Sequence, residues 1–249
     1  MDDFQLLIDL HLPAKRQGPG SPTETKRALE LAGLRDAGPL KVADIGCGTG
    51  ATSIALANEL DVHITAVDLL PTFLETLNQR AEEAGVAGRI TTLEASMDAL
   101  PFEEEHFDVI WSEGAVYNMG FSAGVSELRR FLKPDGMLLV SEITWLTDVR
   151  PQALYEYWTQ AYPEIDTASA KLAVLEDRGF SPVAYFVLPK HCWLEHYYEP
   201  MEQRFETFLE KYENSDVAKA LVASEKQEIA LYRKYCDYYS YGFYIARKI

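Results

Sequence analysis

Apolar positions along the 249-residue chain change period several times. Short apolar runs at Lys41–Ile45, His63–Val67, Arg89–Glu94, Phe107–Ser112 and Met137–Glu142 read as strands. Between them lie stretches of helical spacing. The clearest carries Leu70, Phe73, Leu74, Leu77, Ala81 and Ala84 on one face. Another turns Val125, Leu128 and Leu132 inward and stops at a turn, Lys133-Pro134-Asp135-Gly136. A further helix is predicted over about 51–60. Strands alternating with helices predict β-α-β crossovers and a largely parallel sheet.

Before this core, residues 1–15 predict a short apolar helix. Ser21-Pro22-Thr23-Glu24 then starts another, with a serine cap, a first-turn proline and Glu24 placed for a capping box. That helix is expected to end near Gly33. After residue 147 the order loosens: an aromatic helical insertion at Pro151–Ile165, a helix at Lys171–Arg178 ending on Gly179, and a strand at Val183–Leu188. A charged helical stretch follows over 200–236. Tyr238–Lys248 alternates, with Tyr239, Tyr241 and Phe243 on one face. The expected organisation is one domain, 1–249. It has an N-terminal lid and helix (1–36), a ligand-binding core (37–147), helical cap insertions (148–166 and 190–236) and sheet-completing segments (167–189 and 237–249).

Net charge narrows the partners. At −16 the chain repels phosphate backbones and anionic membrane surfaces. Neither nucleic acid nor membrane is expected as a partner, and the protein is expected to be a monomer or homodimer. Cys47, Cys192 and Cys236 are too few and too scattered for a disulfide framework. The acidic start, Met1-Asp2-Asp3-Phe4, lacks the basic region of a signal peptide, and a cytoplasmic location is expected.

Asp44-Ile45-Gly46-Cys47-Gly48-Thr49-Gly50 carries the strongest chemistry, lying between a predicted strand and a predicted helix. Glycines there allow a tight turn and a close approach of ligand to main chain. Asp68 closes the next strand, 22 residues after Gly46, where a carboxylate can accept from both ribose hydroxyls. A nucleoside-containing ligand fits both features. With Ala51 the loop also satisfies G-x-G-x-x-A, so a dinucleotide is an alternative. Asp44 opposes that alternative, because a carboxylate repels a pyrophosphate but tolerates ammonium and sulfonium groups.

Val42–Gly50 resembles the first motif of class I S-adenosylmethionine-dependent methyltransferases, and further likenesses follow in that family's order. Val67-Asp68-Leu69 resembles the ribose motif, Ala95-Ser96-Met97-Asp98-Ala99-Leu100-Pro101-Phe102 the adenine motif, and Phe107-Asp108-Val109-Ile110 the fourth strand. Leu132-Lys133-Pro134-Asp135-Gly136 precedes the fifth strand. The branch most resembled is the small-molecule one that includes quinone-biosynthesis methyltransferases. The resemblance implies a Rossmann-like, seven-stranded α/β sheet, mostly parallel with an antiparallel C-terminal strand, plus helical caps; Val183–Leu188 and Tyr238–Lys248 would be its last two, antiparallel strands. It also implies S-adenosylmethionine as cofactor and S-adenosylhomocysteine as product. Gly46 and Glu113 would present backbone groups to the methionine part, with Asp44 shaping the loop that includes Cys47 and Gly48. Asp68 and Leu69 would serve the ribose. Ser96 stands where the family usually has Asp, so Ser96 or Asp98 would meet the adenine amino group, with Met97 against the ring.

On the acceptor side, Trp111–Phe121 follows the fourth strand, where ligand crevices open in such sheets. Glu113, Tyr117 and Asn118 there either border the transferred methyl or cap the sheet. Arg16-Gln17-Gly18-Pro19-Gly20 is a candidate lid, with Arg16 able to pair with the methionine carboxylate and Gly18 beside it. Glu113, His196 and Tyr117 are the candidate bases. No metal site is expected, since His191 and His196 are five apart rather than four. Trp145 and Trp158 are candidate pocket walls; most of the 14 tyrosines are expected to pack. The function expected is methyl transfer to a small-molecule acceptor by in-line displacement. The alternatives are an NAD-dependent oxidoreductase and a non-catalytic S-adenosylmethionine-binding protein.

Overall fold

The computed structural model describes residues 3–249; Met1 and Asp2, which the periodicity includes in the first helix, lie outside the described residues. Helices α1 (Asp3–His11) and α2 (Pro22–Leu31) lead into β1 (Leu40–Ile45), α3 (Ala51–Glu59), β2 (Val62–Asp68), α4 (Pro71–Glu83) and β3 (Ile90–Glu94). Then come β4 (Phe107–Glu113), α5 (Phe121–Phe131), β5 (Leu132–Trp145), α6 (Gln152–Ala161), β6 (Asp166–Thr167), α7 (Ala168–Asp177) and β7 (Phe180–Val187). A continuous helical stretch runs from α8 (Lys190–Trp193) through a wide turn at Leu194–Tyr198 into α9 (Glu199–Glu202), followed by α10 (Phe205–Lys211), α11 (Asp216–Tyr235) and β8 (Tyr239–Lys248).

The sheet order is β3-β2-β1-β4-β5-β8-β7, with β6 beside the end of β5. Seven strands match the expectation, and the two-residue β6 makes eight. Strands β3 to β5 pair in parallel. β8 runs antiparallel to both β5 and β7. β7 therefore points the same way as β5, and β8 alone is reversed, as expected of an antiparallel C-terminal strand.

Each strand sends alternate residues to opposite faces. Val42, Ile64, Trp111 and Phe243 meet Leu56 and Leu77 of α3 and α4 on one side. Ile110, Leu138 and Tyr244 meet Phe121, Val125 and Leu175 of α5 and α7 on the other. The local signals act as their chemistry dictates: Ser21 Oγ accepts from the Glu24 amide at 3.2 Å, and the chain turns left-handed at Gly33, φ +67°. The expected turn at 133–136 is instead a bulged start of β5, with Asp135 at φ +61° and the register slipping opposite Phe107 and Val109.

Trp193 stacks on Tyr232 with ring centroids 4.5 Å apart and donates to Ser240 Oγ at 2.9 Å. This aromatic packing ties α8 and α11 to β8. Trp145 is buried against Tyr155 and Tyr239, and Trp158 packs on Tyr239. Neither tryptophan walls the cleft described next, which corrects their assignment to a pocket.

Candidate functional site

β1, β2 and β4 end together, and a cleft of about 600 Å³ opens over them. Between β1 and α3 the chain must turn sharply. Gly46 does so at φ +73°, where an added Cβ would sit 2.3 Å from Ala115 Cβ. The amides of Gly46 and Cys47 both donate to Val67 O at 2.9 Å, folding the loop over the end of β2. Asp68 closes that strand. Its Oδ2 accepts from the Gly48 amide at 2.8 Å and its Oδ1 from the Leu70 amide at 3.0 Å. Each oxygen keeps a lone pair, and burial raises the carboxyl above its ordinary range. Asp44 is deeper. Ser53 Oγ donates to it at 2.6 Å, and burial pushes its pKa up to about 7. Ser96 caps the short turn Met97–Ala99 by accepting from the Asp98 amide at 3.3 Å.

The segment between α1 and α2 lies across the glycine loop. Arg16 Nη1 donates to Glu113 Oε2 at 2.7 Å and Nη2 to Thr25 Oγ1 at 2.9 Å. The other Glu113 oxygen accepts from Trp111 Nε1 at 2.8 Å and from Thr25 Oγ1 at 3.2 Å. Both side chains of the Arg16–Glu113 pair are about nine-tenths buried, at 10% relative exposure. Gln17 Oε1 accepts from the Thr49 amide at 2.9 Å. Arg80 of α4 completes the fastening, reaching Thr49 Oγ1, Thr49 O at 3.3 Å and Ala14 O at 3.1 Å.

At its far end the cleft is bounded by α1, the turn after β4 and α11. Leu7, Ile8 and His11 face Tyr117, Tyr197, Glu225 and Glu228 there. Glu228 Oε1 accepts from Tyr198 OH at 2.9 Å, and burial raises its carboxyl above the usual range. His11 Nε2 lies 4.0 Å from Glu225 Oε1, and its ring stacks on Tyr197 with centroids 6.1 Å apart. The buried Nδ1 of His11 has no hydrogen-bond partner among the described residues.

Comparison with known proteins agrees with this layout. Residues 42–136, from the middle of β1 into β5, match the family described as a methyltransferase domain. That match spans well under half of the chain. The chain's relatives include the methyltransferase YodH of Bacillus subtilis, 34% identical over 121 residues, covering 49% of this chain and 50% of YodH. The ubiquinone/menaquinone biosynthesis C-methyltransferase UbiE of Shewanella pealeana is 26% identical over 185 residues, covering 63% of this chain and 72% of UbiE. The chain thus spans about half the length of YodH and rather more of UbiE. A methyltransferase from Geobacter sulfurreducens, solved with S-adenosyl-L-homocysteine, shares the fold with a TM-score of 0.84 at 21% identity, covering 99% of this chain and 98% of that one.

The fold brings the sequence-derived cofactor candidates onto one cleft: Arg16 and Gly18 from the lid; Asp44, Gly46, Cys47 and Gly48 from the loop; Asp68 and Leu69 from the end of β2; Ser96, Met97 and Asp98 after β3; and Glu113 from β4. The three candidate bases need revision. His196 is exposed, meets His191 with ring centroids 5.6 Å apart and does not line the cleft; the cleft histidine is His11. Glu113 has its carboxylate filled by Arg16, Trp111 and Thr25, so it anchors the lid rather than serving as a free base. That pairing also places the Arg16 guanidinium on Glu113, where a methionine carboxylate had been its expected partner. Tyr117 does line the cleft, but burial, with smaller effects from Glu142 and Glu228, raises its phenol above the ordinary range, which makes it a poor base at neutral pH. The sequence reading did not single out His11, Gln17, Arg80, Glu225 or Glu228. For His11, the spacing of one turn after Leu7 is a usable signal. Arg80 looks like any polar helix residue.

Proposed function

We propose that the protein transfers a methyl group from S-adenosylmethionine to a small-molecule acceptor. The observation that carries this reading is Asp68, pinned by two backbone amides at the cleft with a lone pair free on each oxygen, beside a glycine loop that lines the same cleft. The residues suit the cofactor chemically. Asp44 is buried without a cation, and an ammonium group supplies one. Asp68 suits two ribose hydroxyls. Met97 and Leu69 offer apolar surface to an adenine, and Ser96 or Asp98 its polar edge.

When bound, the sulfonium supplies an electrophilic methyl carbon. The chain's own contribution is alignment and exclusion of water. The lid, fastened by Arg16, Gln17 and Arg80, closes over the glycine loop. Tyr117 and Asn118 border the acceptor end. His11 is the histidine lining that end, with a buried Nδ1 unpartnered among the described residues.

NAD-dependent chemistry is disfavoured by Asp44, which would face a pyrophosphate at the loop. A purely binding role is disfavoured by the cleft's continuation past the loop to Tyr117 and Glu228. The acidity of the chain supports a small acceptor over nucleic acid and, with no membrane-crossing helix among the described residues, a cytoplasmic place of action. Calorimetric titration with S-adenosylhomocysteine and with NAD, side by side, tests the reading, followed by transfer of labelled methyl to an acceptor panel. Binding of NAD alone overturns it.

A further inference from the structure

We propose that the far end of the cleft receives a small acceptor bearing a positively charged amino group, held with its charge against Glu225 and Glu228 and its flank against Tyr117 and Tyr197. The assignment of this molecule as the methyl acceptor rests on the methyl-transfer reading; the charge preference of the site stands apart from it.

Six carboxylates line the cleft against one guanidinium, that of Arg16. Four have counterparts. Glu113 takes Arg16, Asp68 takes two amides, Asp44 takes the Ser53 hydroxyl, and Asp98 is exposed at the rim. Among the described residues, Glu225 and Glu228 remain without a lysine or arginine: Glu228 accepts only from Tyr198 OH, and Glu225 lies 4.0 Å from His11 Nε2. They stand three residues apart on α11 and so face the same way.

The neighbouring lysine and arginine are committed elsewhere. Lys226 lies over the Phe205 ring, and Arg204 donates to Leu10 O and Pro200 O. Burial and the nearby Glu225 raise the Glu228 carboxyl, an unfavourable state that an incoming cation relieves. A neutral acceptor brings the two carboxylates no full counter-charge, and an anion is repelled by them.

A second observation points to a ligand with N–H donors. His11, 8% exposed, lines this end and holds a buried Nδ1 with no partner among the described residues. A buried polar atom without a partner is costly, and a ligand N–H beside Nδ1 offers it one. Tyr117 and Tyr197 add aromatic surface, which favours a cation when water is excluded.

The test uses three probes with one ring and different charge: tyramine, tyrosol and 4-hydroxyphenylacetate. Each is titrated calorimetrically into the full chain, with and without saturating S-adenosylhomocysteine. Tyramine is expected to bind at least tenfold more tightly than tyrosol, with 4-hydroxyphenylacetate weakest. Glu228→Gln and Glu225→Gln are each expected to cut that preference below threefold while leaving tyrosol affinity unchanged. Thermal melts check the fold, and if one variant melts early the other carries the comparison. Equal affinities, tighter anion binding, or no tyramine binding overturns the proposal. Absence of S-adenosylhomocysteine binding overturns the methyl-transfer reading instead, and the cofactor-free titrations still decide this one.

Discussion

Arg16 and Glu113 join the lid to the end of β4, and their coupling can be measured. With N and O 2.7 Å apart, two unit charges at an effective dielectric of ~20 attract by roughly 6 kcal/mol. Both side chains are largely buried, so lost hydration offsets more than half of that, leaving a coupling of about 2–3 kcal/mol. Arg16→Ala alone leaves the Glu113 carboxylate buried against only Trp111 and Thr25, at a cost of about 3–5 kcal/mol. Glu113→Gln leaves a buried guanidinium with Thr25 and Thr52 as remaining side-chain partners. The assay is urea unfolding of wild type, both single variants and the double variant, with S-adenosylhomocysteine affinity measured in parallel. The double variant should lose about 2–3 kcal/mol less than the sum of the singles. Additivity within about 0.5 kcal/mol would show that the contact couples nothing and refute the reasoning.

Asp68→Ala should weaken S-adenosylhomocysteine binding by roughly 1.5–3 kcal/mol, or about ten- to a hundredfold, by calorimetry; unchanged affinity removes the ribose role. Gly46→Ala forces a Cβ onto Ala115 at positive φ, for about 2–4 kcal/mol of lost stability. Adding Ala115→Gly should recover the steric part in a thermal melt, and no recovery argues against the collision. Asp44, held near pKa 7 in the fold against 3.8 ordinarily, binds more protons folded than unfolded between about pH 4 and 7. Its contribution therefore makes the ligand-free protein less stable as pH rises through that window and is flat above it. Asp44→Asn should flatten part of that slope in denaturant titrations, while Glu142, also near 7, keeps the rest; an unaltered slope contradicts the assignment. Arg80→Ala should speed hydrogen exchange in residues 12–20, read by mass spectrometry, and unchanged protection there counts against the clamp.

The parallel half of the fold was legible because its signals are local. Residues such as Ile64 and Val67 alternate against sheet faces, and Leu74 and Leu77 sit one turn apart on a helix face. The loop, Asp68 and the segment around Met97 were legible for a similar reason: their spacing is set by strand length. The bulge at Asp135 was hidden because Lys-Pro-Asp-Gly reads as a turn, and only pairing with β4 draws it into a strand. Glu113 and His196 were misassigned as bases because burial and partners are not local. Arg16 is 97 residues from Glu113, and His11 meets Glu225 across more than two hundred. Such contacts exist only once the lid has met β4 and α1 has packed on α11.

The position of β8 bears on how the chain folds. β7 joins the sheet only through β8, and β8 closes on β5 across roughly ninety intervening residues that include the aromatic helices. Closing so long a loop spends chain entropy before the strand hydrogen bonds return it. Refolding is therefore expected to proceed in two stages. The parallel strands assemble first, and a slower event then seats β8, β7 and the α8–α11 wall together, giving the cleft its far end.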